Sequence, residues 1–305
     1  MLVLSYIVVY GDYFMWLDSL RIRILIGVAI VLFGLMICRL HYYRYPYVEL
    51  SLFTRRNVVP ILVVTFFTEL ALGAEHTMEE ILYSEVIRLE ELTKESQYMW
   101  ALPGMYVGLL LDLYWLKVRR WKIWKLFGIA FVSIAFYGML MYFTLDMNVN
   151  IEQYRLAIFL RGFAYATLSP ALMWALNESV PSLEQFFMSL FVFNILHMYL
   201  AGAAGYGIYS TIFSHFLNEN MMSYGQQLTI THLDLVHFDL GGYIGNDFLH
   251  SMMMVTIKQV YGYVIWFALS LAVIFMLCDI PAVRTNIRKV PRWSVYAIEY
   301  IAKRR

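Results

Sequence analysis

Seven long apolar runs constrain the fold of this chain more than any other feature of its sequence. A transmembrane α-helix needs about 20 predominantly apolar residues to cross the ~30 Å hydrocarbon core of a bilayer. We predict seven such helices, at 22–40, 58–74, 98–116, 125–145, 156–176, 186–213 and 260–277. The apolar residues 1–10 reach only about half-way across a bilayer. We therefore expect them to be the outer half of a truncated first helix, whose beginning is missing from this sequence.

The composition agrees with a polytopic membrane protein. Hydrophobic residues make up 61% of the 305 residues and charged residues 15%, whereas an average soluble domain has about 25% charged residues. A soluble fold of this size could not bury so much apolar surface, which excludes a soluble enzyme, a disordered chain and a nucleic-acid-binding protein. Two cysteines are too few for a disulfide framework. The predicted fold class is all-α.

The basic residues predict the orientation in the membrane. If the carboxyl terminus is cytoplasmic, 16 lysines and arginines lie inside, six lie outside and Arg161 lies within a span. Because cytoplasmic loops carry the excess of basic residues, we predict a multi-pass protein of the plasma (inner) membrane with both termini cytoplasmic. Outside, we expect an amphipathic surface helix over 75–97 and a solvated loop over 214–259. Inside, we expect the basic residues 303–305 to contact lipid headgroups.

Four of the polar or ionisable residues within predicted spans are candidates for a substrate or proton pathway, because such side chains are costly there and often functional. Glu69 is either a carboxylate that carries protons or binds cations, or a residue that reaches water at the mouth of its helix. Arg161 cannot lose its proton and needs a carboxylate, a carbonyl or water. Asn194 and His197 share a helical face, where they either line a substrate or proton pathway or simply bond to a neighbouring helix.

A carboxylate and a basic loop lie together at the cytoplasmic end of the third predicted span. Asp112 follows Gly108 by four residues and precedes Lys117, Arg119 and Arg120. A carboxylate at this position can pair with the basic loop, or with the amino end of another helix, in one conformation and lose that pairing in another. We predict that these five residues form a conformational latch.

Small residues indicate close helix packing in the sixth predicted span. Ala201, Gly202, Gly205 and Gly207 lie close together there, and small residues four apart let a neighbouring backbone approach. The sequence contains no nucleophile–base pair, zinc-binding motif or nucleotide-binding loop. We therefore expect neither an enzyme nor a protein that binds a cofactor or a metal ion.

Four segments, in this order, resemble a known transporter family. Residues 45–57 are similar to the family's short cytoplasmic linker, and residues 108–117 follow its G-x-L-x-D signature, although Leu113 and Trp115 replace the usual basic residue and glycine. Residues 160–165 and 202–207 match the family's arginine-bearing and glycine-rich helices. The chain thus resembles the carboxyl-terminal portion of a major facilitator superfamily transporter, of the fourteen-helix drug:proton antiporter branch.

The resemblance implies four regions and a function. Residues 1–44 correspond to a remnant of the two extra central helices, 45–57 to the cytoplasmic linker, 58–277 to the carboxyl-terminal six-helix bundle and 278–305 to a basic cytoplasmic tail. The implied function is alternating-access export of small hydrophobic or amphiphilic compounds, coupled to protons. The implied partners are the substrate, protons, the lipid bilayer and a missing amino-terminal bundle in the same or another chain, without nucleic acid.

A second interpretation is a membrane protein that does not transport, such as an eight-span scaffold or an intramembrane acyltransferase. An acyltransferase needs a histidine or similar base near the end of a span, together with an acid. His41, beside Tyr42 and Tyr43, is the residue that suggests this chemistry.

Overall fold

Helices form all of the secondary structure in the part of the chain that the structure describes. The structure is a computed structural model. It describes residues 2–11, 13, 16–43, 48–54, 57–119, 122–145, 151–180, 182–227 and 241–277. The all-α prediction is therefore confirmed for these residues. The basic tail 278–305, Arg120 and parts of the 45–57 linker lie outside the described residues.

The α-helices in the described ranges are numbered here in chain order. They are α1 Leu2–Tyr10, α2 Leu20–Tyr42, α3 Val58–Ile81, α4 Glu91–Tyr98, α5 Ala101–Leu113, α6 Ile123–Thr144, α7 Arg155–Ser179, α8 Leu183–Ile195, α9 Gly202–Gln227 and α10 Gly241–Leu277. Helices α3, α5 and α8 each continue into a π-helical turn, at Leu82–Val86, Tyr114–Arg119 and Leu196–Ala201 respectively. Short 3-10 helices cover Trp16–Asp18, Leu50–Leu52 and Ile151–Tyr154.

Six helical segments in the described ranges are long and apolar enough to cross a membrane. They are Leu20–Tyr42, Val58–Val86, Glu91–Lys117, Ile123–Thr144, Ile151–Ser179 and Leu249–Leu277. The predicted span 186–213 lies in α8, its π-turn and α9, and α8 by itself is apolar but too short to cross. The membrane-protein class thus has support from six helices, whereas the count of seven full spans and one truncated helix stays a prediction.

The bundle is organised around α6 and α7. Helix α6 packs on α7 and α10, α5 packs on α7, and α3 packs on α9. Thirteen of the 22 residues of α6 are buried, whereas Phe136 and Phe143 are exposed. Its Phe127 and Phe131 are fully buried, and Phe131 stacks on Phe275 of α10 with ring centroids 5.5 Å apart.

Glycines allow the closest helix contacts. On α5, a Cβ added to Gly108 would lie 2.7 Å from the carbonyl oxygen of Phe163 on α7, and Gly104 faces the same helix. Gly205 of α9, one of the predicted packing residues, meets Gly73 of α3, so that a Cβ at Gly73 would lie 2.9 Å from the Gly205 Cα. These contacts bring backbones together in the way that small residues permit in membrane helices.

Helix α3 is longer than the sequence pattern suggested. Residues 75–81 continue α3, and 82–86 extend it as a π-turn, where a surface helix over 75–97 was expected. Met78 and Leu82 are fully buried and continue the apolar face that includes Ala71 and Ala74. The glutamates of this segment suggested an exposed helix, but Glu79 finds its partners inside the bundle.

Candidate functional site

A fully buried carboxylate joins four helices at one end of the bundle. Glu79, near the end of α3, is 0% exposed. Its Oε2 atom pairs with Nη1 of Arg161 on α7, and its Oε1 atom accepts a 2.7 Å hydrogen bond from the Tyr137 hydroxyl on α6. The Tyr137 oxygen lies 3.0 Å from the hydroxyl of Tyr261 on α10. Since Tyr137 donates its one proton to Glu79, Tyr261 donates to Tyr137.

Glu79, Tyr137 and Arg161 lie at a similar height along the bundle, because each is near the end of its helix on the same side of the bundle. Glu79 lies two residues before the end of α3, Tyr137 lies in the last third of α6, and Arg161 lies in the second turn of α7. A buried charge is tolerated only when it is paired and its remaining hydrogen-bonding capacity is satisfied. Both oxygens of Glu79 have such partners, so the network holds α3, α6 and α7 in one arrangement.

Aromatic rings cover the arginine of this network. The Tyr98 ring, at the end of α4, has the Arg161 guanidinium carbon 5.4 Å from its centroid, within the range of a cation–π contact. The fully buried Tyr83 packs edge-on against Tyr98 at 5.8 Å. The Arg161 side chain is 17% exposed. The ion pair is therefore closed over by Tyr98 and Tyr83 rather than open to solvent.

A second pair of titratable side chains lies further along α3. The Oε1 atom of Glu69 lies 2.6 Å from Nδ1 of His197, and each side chain is 15% exposed. His197 belongs to the π-turn after α8, and such turns occur frequently at functional sites. Ten residues separate Glu69 from Glu79, which corresponds to roughly 15 Å along a helix axis.

The Glu69–His197 pair borders a narrow crevice with aromatic walls. Phe193 stacks on the His197 ring at 5.8 Å, and Tyr165 lies at 6.3 Å. In this arrangement the crevice is too narrow to admit a water molecule. Its lining residues come from α3, α7 and the α8 region: Thr68, Glu69, Leu72, Tyr165, Leu168, Ser169, Leu172, Phe193 and His197. This arrangement places a carboxylate and an imidazole beside apolar and aromatic surface.

The structure thus brings two of the predicted pathway residues together and gives a third a different partner. Glu69 and His197 pair with each other, whereas Arg161 pairs with Glu79. Asn194 lies one turn before His197 and is exposed.

The proposed latch residue Asp112 is 4% exposed, at the end of α5. Neither of its carboxylate oxygens has a hydrogen-bond partner among the described residues. Lys117 is exposed, while the Arg119 side chain and all of Arg120 lie outside the described residues. Gly108, one turn earlier, packs against α7. Asp112 is therefore a buried carboxylate whose pairing with Lys117 is not made in this arrangement.

Sequence reasoning missed Glu79, Tyr137 and Tyr261. Glu79 was assigned to an outer connection because of the glutamates around it. The spacing of the small and apolar residues could have extended the helix, since Ala71, Ala74, Met78 and Leu82 recur every three or four residues. The tyrosines gave no signal, because 24 tyrosines are spread along the chain.

Comparisons with known proteins add no family assignment. No protein-family model matches this chain, and a search of curated proteins finds no match. Within the described residues, no cluster of three or more histidine, cysteine, aspartate or glutamate side chains could hold a metal ion. His41, on which the acyltransferase interpretation depends, is exposed at the end of α2, edge-on to the Tyr42 ring. The pairs Glu79–Arg161 and Glu69–His197 are therefore the features that bear on function.

Proposed function

We propose that this chain is part of a proton-coupled membrane transporter that exports small hydrophobic or amphiphilic compounds by alternating access. The observation that supports this most strongly is the fully buried Glu79, bonded to Arg161 and Tyr137 within a bundle that has six helices of membrane-spanning length. Ionisable groups inside membrane helices are costly to maintain, and they commonly mark proton or substrate routes.

Protonation of Glu79 would change which helices are tied together. The ionised carboxylate accepts from both Arg161 and Tyr137 and thereby joins α3 to α6 and α7. Once protonated, it no longer balances the guanidinium charge, and the contact between α3 and α7 weakens. A proton taken up here would favour a rearrangement of these helices, which is the coupling that an alternating-access carrier requires.

We propose that the exported compound contacts the Glu69–His197 crevice once the helices around it part, since the crevice is closed in this arrangement. A carboxylate and an imidazole offer polar contacts, while Tyr165 and Phe193 offer aromatic surface that accepts varied apolar groups. The low exposure of both titratable side chains keeps their interaction little screened by water.

The resemblance to the major facilitator superfamily supplies the rest of the proposal. In that family, substrate binds near mid-membrane between two bundles, so we expect a second six-helix bundle, in the same or another chain, to complete the cavity. The expected setting is the plasma (inner) membrane with both termini cytoplasmic. Asp112 would act as the latch that pairs differently in the two conformations.

An efflux measurement in the native cell tests this proposal, because any partner bundle is then present. Cells that lack the gene should retain a fluorescent amphiphilic dye, and cells with the gene restored should expel it. Glu69→Gln should reduce the rate of efflux at least tenfold at an equal amount of protein in the membrane. Glu184→Gln is the matched control, since Glu184 is exposed on α8. Equal dye retention with and without the gene, across several amphiphilic dyes, would contradict the proposal.

A further inference from the structure

A polar segment crosses the end of the bundle directly above the buried ion pair. We call residues 87–98 the strap; it consists of the turn 87–90 and the short helix α4. The strap carries acidic, basic and amide side chains, and its helix α4 is the polar start of the segment Glu91–Lys117, whose apolar part follows in α5. Nothing in the role proposed for Glu79 or Glu69 requires a segment of this kind.

Two polar contacts of the strap, made by Lys94 and Tyr98, fasten it to the bundle. Lys94 is 7% exposed. Its ammonium lies 2.6 Å from Oε1 of Glu80 on α3, whose side chain is 46% exposed, and donates to Oγ of Ser84 at 3.3 Å. At the end of the strap, the Tyr98 ring lies against the Arg161 guanidinium. Ile87, Leu89 and Tyr98 of the strap also pack against the apolar core. The charge pair and the cation–π contact can both be broken without unfolding a helix.

The contacts of the strap and the buried pair form a closed ring. Adjacent glutamates of α3 diverge: Glu79 pairs with Arg161, and Glu80 pairs with Lys94. Tyr98, four residues after Lys94, returns to Arg161. Breaking either ion pair therefore weakens the positioning of the other, because both share α3 on one side and meet through Tyr98 on the other.

The turn that begins the strap is strained. Arg88 has a φ of 55°, in the left-handed region that non-glycine residues rarely adopt. Backbone strain of this kind persists only where surrounding contacts maintain it, and here a 2.8 Å hydrogen bond from the Leu89 amide to the Tyr83 carbonyl closes the turn. A strained turn at Arg88 and polar contacts that can break and re-form are both suited to a segment that opens and closes.

We propose that the strap is a gate over this end of the bundle, and that its opening is coupled to separation of Arg161 from Glu79. Closed, it holds Tyr98 against the Arg161 guanidinium, with Lys94 bound to the neighbouring Glu80, and keeps water away from the pair. Open, it exposes the guanidinium and lowers the cost of parting the two charges. The role of this gate in export rests on the proposed function. The existence of the gate and its coupling to the Arg161–Glu79 pair are independent of that function.

Cysteine labelling of the strap tests this directly. Gln97 lies on the strap and is 6% exposed, so Gln97→Cys, with Cys38 and Cys278 changed to serine, reports opening through its rate of reaction with a water-soluble maleimide. Replacing Lys94 by Met keeps the apolar stem and removes the charge. Since solvent at the half-exposed Glu80 reduces the strength of this charge-assisted bond to a factor of about five, Lys94→Met should raise the labelling rate about fivefold.

Three further variants separate the gate from general loosening. The charge swap Glu80→Lys with Lys94→Glu should return the rate to within about threefold of the parent. Glu91→Gln should leave the rate unchanged, because Glu91 is 3.9 Å from Lys94 and its side chain is 78% exposed. Glu79→Gln should raise the rate severalfold through the ring of contacts. Parent-like labelling of Lys94→Met would overturn the gate, and parent-like labelling of Glu79→Gln would overturn the coupling.

These labelling rates need no substrate and no proton gradient, so they are measured on the purified full chain in detergent. Helical content by circular dichroism confirms that each variant remains folded. Loss of transport in the native cell leaves these rates unaffected, and the two proposals therefore fail separately.

Discussion

Tyr137 donates a 2.7 Å hydrogen bond to Glu79, although 58 residues separate the two in the chain. The bond links the last turns of α6 to the end of α3 and occupies the carboxylate oxygen that Arg161 leaves free. Both oxygens of the Glu79 carboxylate, which has no access to solvent, therefore have a partner. The predictions below follow from this network and from the helix contacts that position it.

Removing the buried charge should destabilise the bundle. Glu79→Gln leaves the Arg161 guanidinium without its counter-charge in a site where its side chain is only 17% exposed. Breaking one partner of a buried pair costs roughly 3–5 kcal/mol, and the partial exposure of Arg161 reduces this to about 2–3 kcal/mol. Denaturant unfolding in detergent measures the change in the free energy of unfolding.

The matched control for Glu79→Gln is Glu152→Gln. Glu152 pairs with Arg155 at 3.0 Å, but its side chain is 65% exposed, and exposed pairs contribute less than about 1 kcal/mol. Equal losses of stability in the two variants would show that burial of the Glu79 pair has no energetic consequence.

The two tyrosines should act as one unit. Tyr137→Phe removes the donor to Glu79, and Tyr261→Phe removes the donor to Tyr137. We expect Tyr137→Phe to cost about 1–2 kcal/mol and Tyr261→Phe less. The double variant should lose less stability than the sum of the losses in the two single variants, by about 0.5 kcal/mol or more. Strict additivity in a double-mutant cycle would indicate that the hydroxyls do not interact.

The close approach of α5 to α7 predicts a sharp difference between two glycines. Gly108→Ala would place a Cβ 2.7 Å from the Phe163 carbonyl oxygen and should cost about 1–3 kcal/mol by overpacking. Gly27→Ala, on α2, meets nothing within 4 Å and should be neutral or stabilise the helix by up to about 1 kcal/mol. Thermal unfolding of both variants checks this, and a tolerated Gly108→Ala would contradict the packing of α5 on α7.

Asp112 should affect transport and stability in opposite directions. Its carboxyl group is buried, and neither oxygen has a hydrogen-bond partner in the described ranges. Ionisation of Asp112 is costly there, and Asp112→Asn replaces the group by a neutral side chain of the same shape. The variant should insert normally and be at least as stable as the parent, yet transport more slowly because the proposed latch has lost its charge. Dye efflux and thermal unfolding are measured on the same preparation. A variant that transports at the parent rate would exclude Asp112 from the latch.

The all-helical fold could be predicted because each helix is specified by its own residues. Length and hydropathy are local properties, and the runs at 22–40, 125–145 and 156–176 coincide with α2, α6 and α7 to within a few residues. Local reasoning was less successful over 75–86, where glutamates indicated a solvated surface. A glutamate carboxylate can form its hydrogen bonds with an internal arginine and tyrosine as well as with water. Only the packing of the helices shows which partners a given glutamate has.

The candidate site was predictable residue by residue but not as a set of pairs. Glu69, Arg161 and His197 stood out as ionisable groups within apolar runs. Their partners depend on which helices are neighbours, and the π-turn at Leu196–Ala201 sets where the His197 ring points. Neither property is encoded by spacing along one helix. The pairing of Arg161 with Glu79 rather than with Glu69 therefore required the structure.

Proton movement linked to export tests the central claim most directly. Inverted membrane vesicles from the native cell are acidified inside, and a pH-sensitive dye reports protons that leave when an exported amphiphile is added. We predict proton release with the parent protein and at least a tenfold smaller release with Glu79→Gln, at equal amounts of protein in the membrane. Release of the same size from Glu79→Gln vesicles, or export by the parent protein without proton release, would contradict the proposal that this buried carboxylate couples protons to transport.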